Sequence, residues 1–224
     1  MPIDAVVFDL DGVLIDSEPV WERVRRAFVT EHGGHWAPDT QSRLMGMSTA
    51  EWAAYLSREL GVDLPPERVA GDVIERITAA YAEHLPVLPG ALEAVGRIGD
   101  ARPVALASSS PLPVILGVLR QSGLAAVFRA VASSDEVARG KPDPDVYLLA
   151  TGRLGVDPAR AAAVEDSSNG LRSAAAAGLT VVAAPRPEFP PEPGALGLAA
   201  VVLDGPQPLD RLTVDLLERL RSRS

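Results

Sequence analysis

Five short apolar runs limit what this 224-residue chain can fold into: Ala5–Phe8 (AVVF), Pro103–Ala107 (PVALA), Ala161–Val164 (AAAV), Leu179–Ala184 (LTVVAA) and Ala199–Leu203 (AAVVL). Each is short for a helix, carries no charge and lacks the polar–apolar alternation of a half-exposed strand. Each therefore reads as a strand buried on both faces. Helical patterns cover Pro111–Gln121, Pro144–Leu154, Ser168–Ala177 and Leu209–Arg221. Strands alternating with helices imply an α/β protein with a doubly wound parallel sheet, its ligand site at the carboxyl ends of the strands.

One region interrupts that rhythm. From Ser17 to Pro86 no strand pattern occurs, only the amphipathic stretches EPVWERVRRAFVTEH, STAEWAAYLSREL and PERVAGDVIERITAAYAEHL. Residues 17–86 are accordingly expected to form a helical cap domain inserted into a core made of residues 1–16 and 87–224. Leu85–Gly90 serves as the return linker and the Pro-rich Ala184–Gly197 as a long surface loop. With 47% hydrophobic but only 4% aromatic residues, the core must be built from Ala, Val and Leu. The net charge of −9 disfavours nucleic acid and anionic membrane as partners, because both need a basic face. There is no cysteine, so neither disulfide nor thiolate chemistry is available. The N-terminus lacks the basic stretch of a signal peptide. The small apolar run Ala174–Pro185 falls short of the ~20 residues that span a bilayer. A soluble, cytoplasmic monomer is the expected state.

Chemistry-bearing residues cluster where the predicted strands end. The first strand runs into FDLDGVLIDSE, where Asp9 and Asp11, two apart, leave an extended chain on the same side. Two carboxylates about 4 Å apart repel by about 4 kcal/mol at an effective dielectric of 20. They persist together if a cation sits between them or if one is protonated. A second acidic pair, Glu165 and Asp166, ends the AAAV run, although Asp166 also suits a helix cap. Two such pairs point to a Mg²⁺ site of hard oxygen ligands. Ser108 ends another strand, and Ser109, Ser110 and Pro111 lead into a helix. That arrangement fits either an ordinary N-cap or an anion pocket of hydroxyl and free amides. Of 21 lysine and arginine residues only Lys141, in ARGKPDPD, is a lysine. An ammonium is a compact point charge that can touch a phosphate and a carboxylate from one position, whereas a guanidinium is a broad planar fork.

Other signals fail. GKP lacks the spacing of a phosphate-binding Walker loop, no G-x-G-x-x-G follows the first strand, and no G-x-S-x-G elbow exists. His32 and His35 flank a glycine pair and have no third ligand, so they read as loop residues; Trp21, Trp36 and Trp52 read as packing.

Taken together, FDLDGVLIDSE, ALASSSPL, GKPDPDVYLLA and VEDSSNGL, with the helical insertion, resemble the haloacid dehalogenase superfamily. The resemblance is to its capped sugar-phosphate phosphatases and β-phosphoglucomutases; DSEPVW is similar to the corresponding start in 2-deoxyglucose-6-phosphate and hexitol-phosphate phosphatases. It implies a Rossmann-like core and assigns roles. Asp9 would be the nucleophile that forms an aspartyl-phosphate, and Asp11 the general acid and then base. Asp9, Asp11 through its carbonyl, and Asp166 would bind Mg²⁺, with Glu165 a further or outer ligand. Ser108 and Lys141 would hold the phosphoryl group, beside Ser109. Cap residues Arg43, Met45, Gly46, Ser48 and Trp52 would read the leaving group of a small phosphate ester. The mutases carry an arginine where Thr49 falls, a cap lysine, and a histidine near Trp21. Their absence favours a phosphatase over a phosphomutase. A non-catalytic phosphoacceptor of the receiver type has no use for the second acid of D-x-D or for a helical insertion.

Overall fold

Runs of Val and Ala with no charge can be buried on both faces only as the middle layer of a three-layer sandwich, and four of the five runs lie there. The fifth, Ala199–Leu203, ends up at the sheet edge with Val202 43% exposed, because no further strand covers that side. A computed structural model of the chain describes residues 2–44, 47–205 and 207–220. Six parallel strands, β1 (Ala5–Phe8), β2 (Val104–Ser108), β3 (Phe128–Ser133), β4 (Ala161–Glu165), β5 (Thr180–Ala183) and β6 (Val201–Val202), form one sheet in the order β3-β2-β1-β4-β5-β6. The order reverses direction between β1 and β4, which makes their carboxyl ends the topological switch point where ligands bind in doubly wound sheets.

Helices α1 (Glu18–Glu31), α2 (Thr40–Leu44), α3 (Thr49–Arg58) and α4 (Pro66–Glu83) fall between β1 and β2, followed by α5 (Ala91–Gly99). The remaining helices are α6 (Leu112–Gln121), α7 (Asp145–Leu154), α8 (Ser168–Ala176), the single turn α9 (Pro193–Leu196) and α10 (Val214–Arg219). Alternate strand residues face opposite layers. Val6, Phe8, Val104 and Leu106 pack with α5 and α6 in one cluster, which continues into α1, α3 and α4 through Phe28, Trp52 and Ile77. Val7, Ala105, Ala107, Ala161 and Ala163 pack with α7 and α8 in the other. The alanine-rich face explains how few aromatic residues this core needs: with little side chain on the sheet, helices can lie close to it.

The chain leaves the sheet and returns to it at one place. Ile15 and Val87 form an antiparallel bridge, and Asp16 N donates to Pro86 O (2.8 Å) while Leu88 N donates to Leu14 O (2.9 Å). No described helix is long and apolar enough to cross a membrane.

Several elements differ from the sequence expectation. Strand β3 was not anticipated, because at the sheet edge Arg129 is exposed and Val131 only partly buried, which leaves a run neither wholly apolar nor strictly alternating. Helices α2 and α5 were also missed. The helix expected over Leu209–Arg221 is broken: a 3-10 turn covers Pro208–Arg211, and Thr213 caps α10 by accepting from Leu216 N (3.1 Å). Arg221 itself lies outside the described residues.

Candidate active site

Strand register assembles the site. Phe8 pairs with Val164 and with Leu106, so the residues that follow β1, β4 and β2 emerge at one level. Asp9 and Glu165 are buried neighbours across the β1–β4 seam, and Lys141, from the loop after β3, spans them. Its Nζ donates to Asp9 Oδ1 (2.7 Å), Glu165 Oε1 (2.5 Å) and Ala107 O (3.1 Å), with the Tyr147 ring 5.0 Å away. Its side chain is only 6% exposed. Burial alone would lower the lysine pKa, but the Asp9 and Glu165 carboxylates outweigh it and hold the ammonium charged.

The carboxylates divide by how well the protein satisfies them. Glu165 Oε1 accepts from Lys141 and from Tyr147 OH (2.8 Å), and Oε2 accepts from Asp166 N, Ser167 N and Ser167 Oγ (3.1–3.2 Å). Asp166 Oδ1 and Asp11 Oδ1 are buried with no hydrogen-bond partner. Buried polar atoms left unpaired cost free energy, so each of these oxygens is a place for an external charge. Asp9, Glu165 and Asp166 each bring a carboxylate oxygen within 4.8 Å of the others, as a divalent cation requires. By distance alone Glu165 qualifies as a ligand, but its five donors leave it satisfied, and the orphaned Asp166 oxygen is the better one. The residues present therefore fit a hard cation held by Asp9 and Asp166.

Two glycines make this crowding possible. At Gly12 (φ +81°) a Cβ would overlap the Asp166 carboxylate, and at Gly170 it would overlap that of Glu165. Burial, then the Glu165 and Asp11 charges, push Asp9 up to about 8 against the opposing pull of Lys141. Burial and the Glu165 charge raise Asp166 well above the usual carboxylate range.

Asp11 turns the other way, toward β2. Its Oδ2 accepts from Ser108 Oγ (2.9 Å) and Ser110 Oγ (2.8 Å), and Ser110 N donates to Ser108 Oγ (2.9 Å). Ser109 lines the adjoining cavity of about 430 Å³, whose floor includes Asp9, Asp11, Lys141 and Asp166. Helices α1 and α3 supply Glu18, Trp21, Arg25 and Trp52 as its opposite wall, and Arg186 of the Pro-rich loop closes one side.

Of the expected cap residues that are described, only Trp52 faces this cavity. Arg43 is exposed and bound to Asp39, with Nη2 2.7 Å from Oδ2. Ser48 begins α3 in a capping box with Glu51 and borders a second groove that reaches Lys141 from the other side. Gly46 and Met45 lie outside the described residues. Sequence reasoning passed over Glu18, Arg25 and Arg186. For the first two the signal was present: Glu18, Trp21 and Arg25 lie three and four residues apart and share one face of a helix. Arg186 gave no signal, because its partner Asp16 (2.6 Å) is 170 residues away.

The chain is similar to known proteins over most of its length. Residues 3–178 match the family model of the haloacid dehalogenase-like hydrolases. Hexitol phosphatase B of Escherichia coli (strain K12) is 36% identical over 195 residues, 84% of this chain and 86% of that protein. The phosphorylated carbohydrates phosphatase of Thermotoga maritima is 34% identical over 178 residues, 79% of this chain and 82% of that protein. The crystal structure of CbbY from Rhodobacter sphaeroides in complex with phosphate superimposes with a TM-score of 0.85 at 29% identity, covering 97% of this chain and all of that one. A match that begins before β1 and runs past α8 takes in every element that supplies a carboxylate or the lysine to the site, and the chain belongs to the haloacid dehalogenase-like hydrolases.

Proposed function

We propose that this hydrolase is a Mg²⁺-dependent phosphatase of a small sugar or polyol phosphate that works through an aspartyl-phosphate on Asp9. The observation that carries the reading is the division of labour among the carboxylates. Glu165 is locked to the only lysine, Asp11 is bound by two serines through one oxygen, and Asp166 and Asp11 each keep a buried oxygen free.

Asp9 is the nucleophile. Its carboxylate oxygen forms a bond to phosphorus as the bond to the leaving oxygen breaks, and Asp11 delivers the proton that the departing alkoxide needs. Asp11 then takes a proton from water, whose oxygen attacks the phosphorus of the aspartyl-phosphate and releases inorganic phosphate and free Asp9. Lys141 and Ser108, with Ser109 beside them, hold the phosphoryl oxygens. Glu165, saturated by its five donors, keeps Lys141 in position. Asp9, Asp166 and the Asp11 carbonyl would hold the metal ion. When bound, Mg²⁺ supplies the positive charge that keeps Asp9 ionised and draws off negative charge developing on the phosphoryl group.

Residues 17–86 act as the cap and residues 1–16 with 87–224 as the core, joined at the Ile15–Val87 crossing. The cap wall of Trp21, Trp52 and Arg25 and the cavity of about 430 Å³ suit a leaving group of sugar size. The names of the Escherichia coli and Thermotoga relatives support a carbohydrate or polyol ester. The protein is taken as a cytoplasmic monomer acting on a small molecule, without nucleic acid or membrane as partner; its net charge of −9 supports the last two.

The test is phosphate release from a panel of sugar and polyol monophosphates with Mg²⁺, with EDTA, and with the Asp9→Asn variant. Release that needs Mg²⁺ and vanishes in the variant is the expected result. Full activity in EDTA would remove the metal from the reading, and an active Asp9→Asn enzyme would remove the nucleophile.

A further inference from the structure

Arg25 is a buried charge that the proposed chemistry does not use. It is 7% exposed, its guanidinium carbon lies 4.4 Å from the Trp21 ring and 5.0 Å from the Trp52 ring, and it lines the cavity opposite Asp9 and Lys141. It forms no ion pair within 4.0 Å among the described residues, and its Nε is buried without a hydrogen-bond partner. Buried arginines are ordinarily paired. Arg186, the other arginine on this cavity, is matched to Asp16. The Trp21 and Trp52 rings lie within cation–π distance of the Arg25 guanidinium, yet a π face is not a counter-charge. Glu18 shares the α1 face of Arg25, but its Oε2 accepts from Gln41 Nε2 (2.5 Å) instead.

We propose that Arg25 is a specificity-determining residue that binds an oxyanion, carboxylate or second phosphate, at the far end of the substrate's leaving group. The favoured substrates are then phosphate esters of sugars or polyols that carry a second anionic group. The scissile phosphate sits among Asp9, Ser108 and Lys141, and the second anion supplies the partner that the protein leaves out. This inference deepens the phosphatase reading and rests on it.

Two matched pairs of esters test it: 6-phosphogluconate against glucitol 6-phosphate, which differ at the distal carbon, and fructose 1,6-bisphosphate against fructose 6-phosphate. In the wild-type enzyme the anionic member of at least one pair is expected to have the higher kcat/KM by about tenfold or more, since a site built for a polar group rejects analogues that lack it. The pair that shows the preference identifies carboxylate or phosphate. Arg25→Gln should collapse that ratio toward one, and Arg25→Lys should retain part of it. Equal turnover within both pairs by the wild type overturns the inference even if Arg25→Gln does not fold. A variant that slows both members of a pair by the same factor assigns Arg25 to packing and also overturns it. Release from no ester at all, with Mg²⁺ present, overturns the phosphatase reading and this inference with it.

Discussion

Lys141 shows how much a single position can disclose. In a chain otherwise served by arginine, a lone lysine pointed in the sequence to a position where shape as well as charge matters. The reason is visible in its surroundings. Three acceptors within 2.5–3.1 Å converge on one nitrogen, and the Tyr147 ring lies 5.0 Å from it. Lys141→Arg keeps the charge and loses the geometry, so turnover should fall by about 100-fold or more, the scale of losing one preorganised charge-stabilising donor. Circular dichroism should still report a folded chain. Near wild-type phosphate release would show that charge alone suffices. The Glu165 role was less legible. A-V-E-D offers two acids as equivalent metal ligands, and only hydrogen bonds from Tyr147 and Ser167 separate them. Tyr147 lies eighteen residues before Glu165 with nothing in the spacing to join them.

Among the elements, legibility followed burial. β1, β2, β4 and β5 are buried on both faces and stood out as uninterrupted apolar runs. β3 carries Arg129 on its exposed side and hides within a stretch that is neither alternating nor wholly apolar. The α3 N-terminus shows a different ambiguity, because Ser48 has the same sequence appearance as a helix cap or as a substrate contact. Its Oγ accepts from Glu51 N, and Glu51 Oε2 accepts from Ser48 N (2.8 Å), so two otherwise orphaned amides of α3 are satisfied reciprocally. Ser48→Ala should therefore lower the unfolding free energy by about 1 kcal/mol, read as a reduced denaturant midpoint at unchanged m-value. No change in the midpoint would mean that α3 is held by the packing of Trp52 and Leu56 and not by its cap.

At the level of the whole molecule, a parallel sheet in this strand order gathers acids from β1 and β4 at one switch point, and the fold must tolerate the repulsion that results. Burial, then neighbouring charge, raises Asp9 to about 8 and raises Asp166 as well, so the metal-free folded state binds protons that the unfolded chain has released. Where the folded state binds more protons, stability falls as pH rises. This contribution is fully present below the ordinary carboxylate range and is lost as pH climbs toward about 8. Lys141 does not reverse the sign, since its shift, set by Asp9 and Glu165 against burial, acts above the ordinary lysine range. Mg²⁺ binds the ionised cluster and relieves the same repulsion, so it must compete with those protons. At a fixed concentration a hundredfold above its Kd at pH 8, Mg²⁺ should raise Tm by roughly 5–10 °C for a chain of this size. That increment should be larger at pH 8 than at pH 5. Comparing increments, and not bare Tm values, removes the general effect of a net charge of −9, which also changes with pH. Thermal melts with Mg²⁺ and with EDTA at the two pH values decide the matter. An increment that is the same at both would mean that the cation does not displace protons from Asp9 and Asp166, and would move the metal away from the switch point.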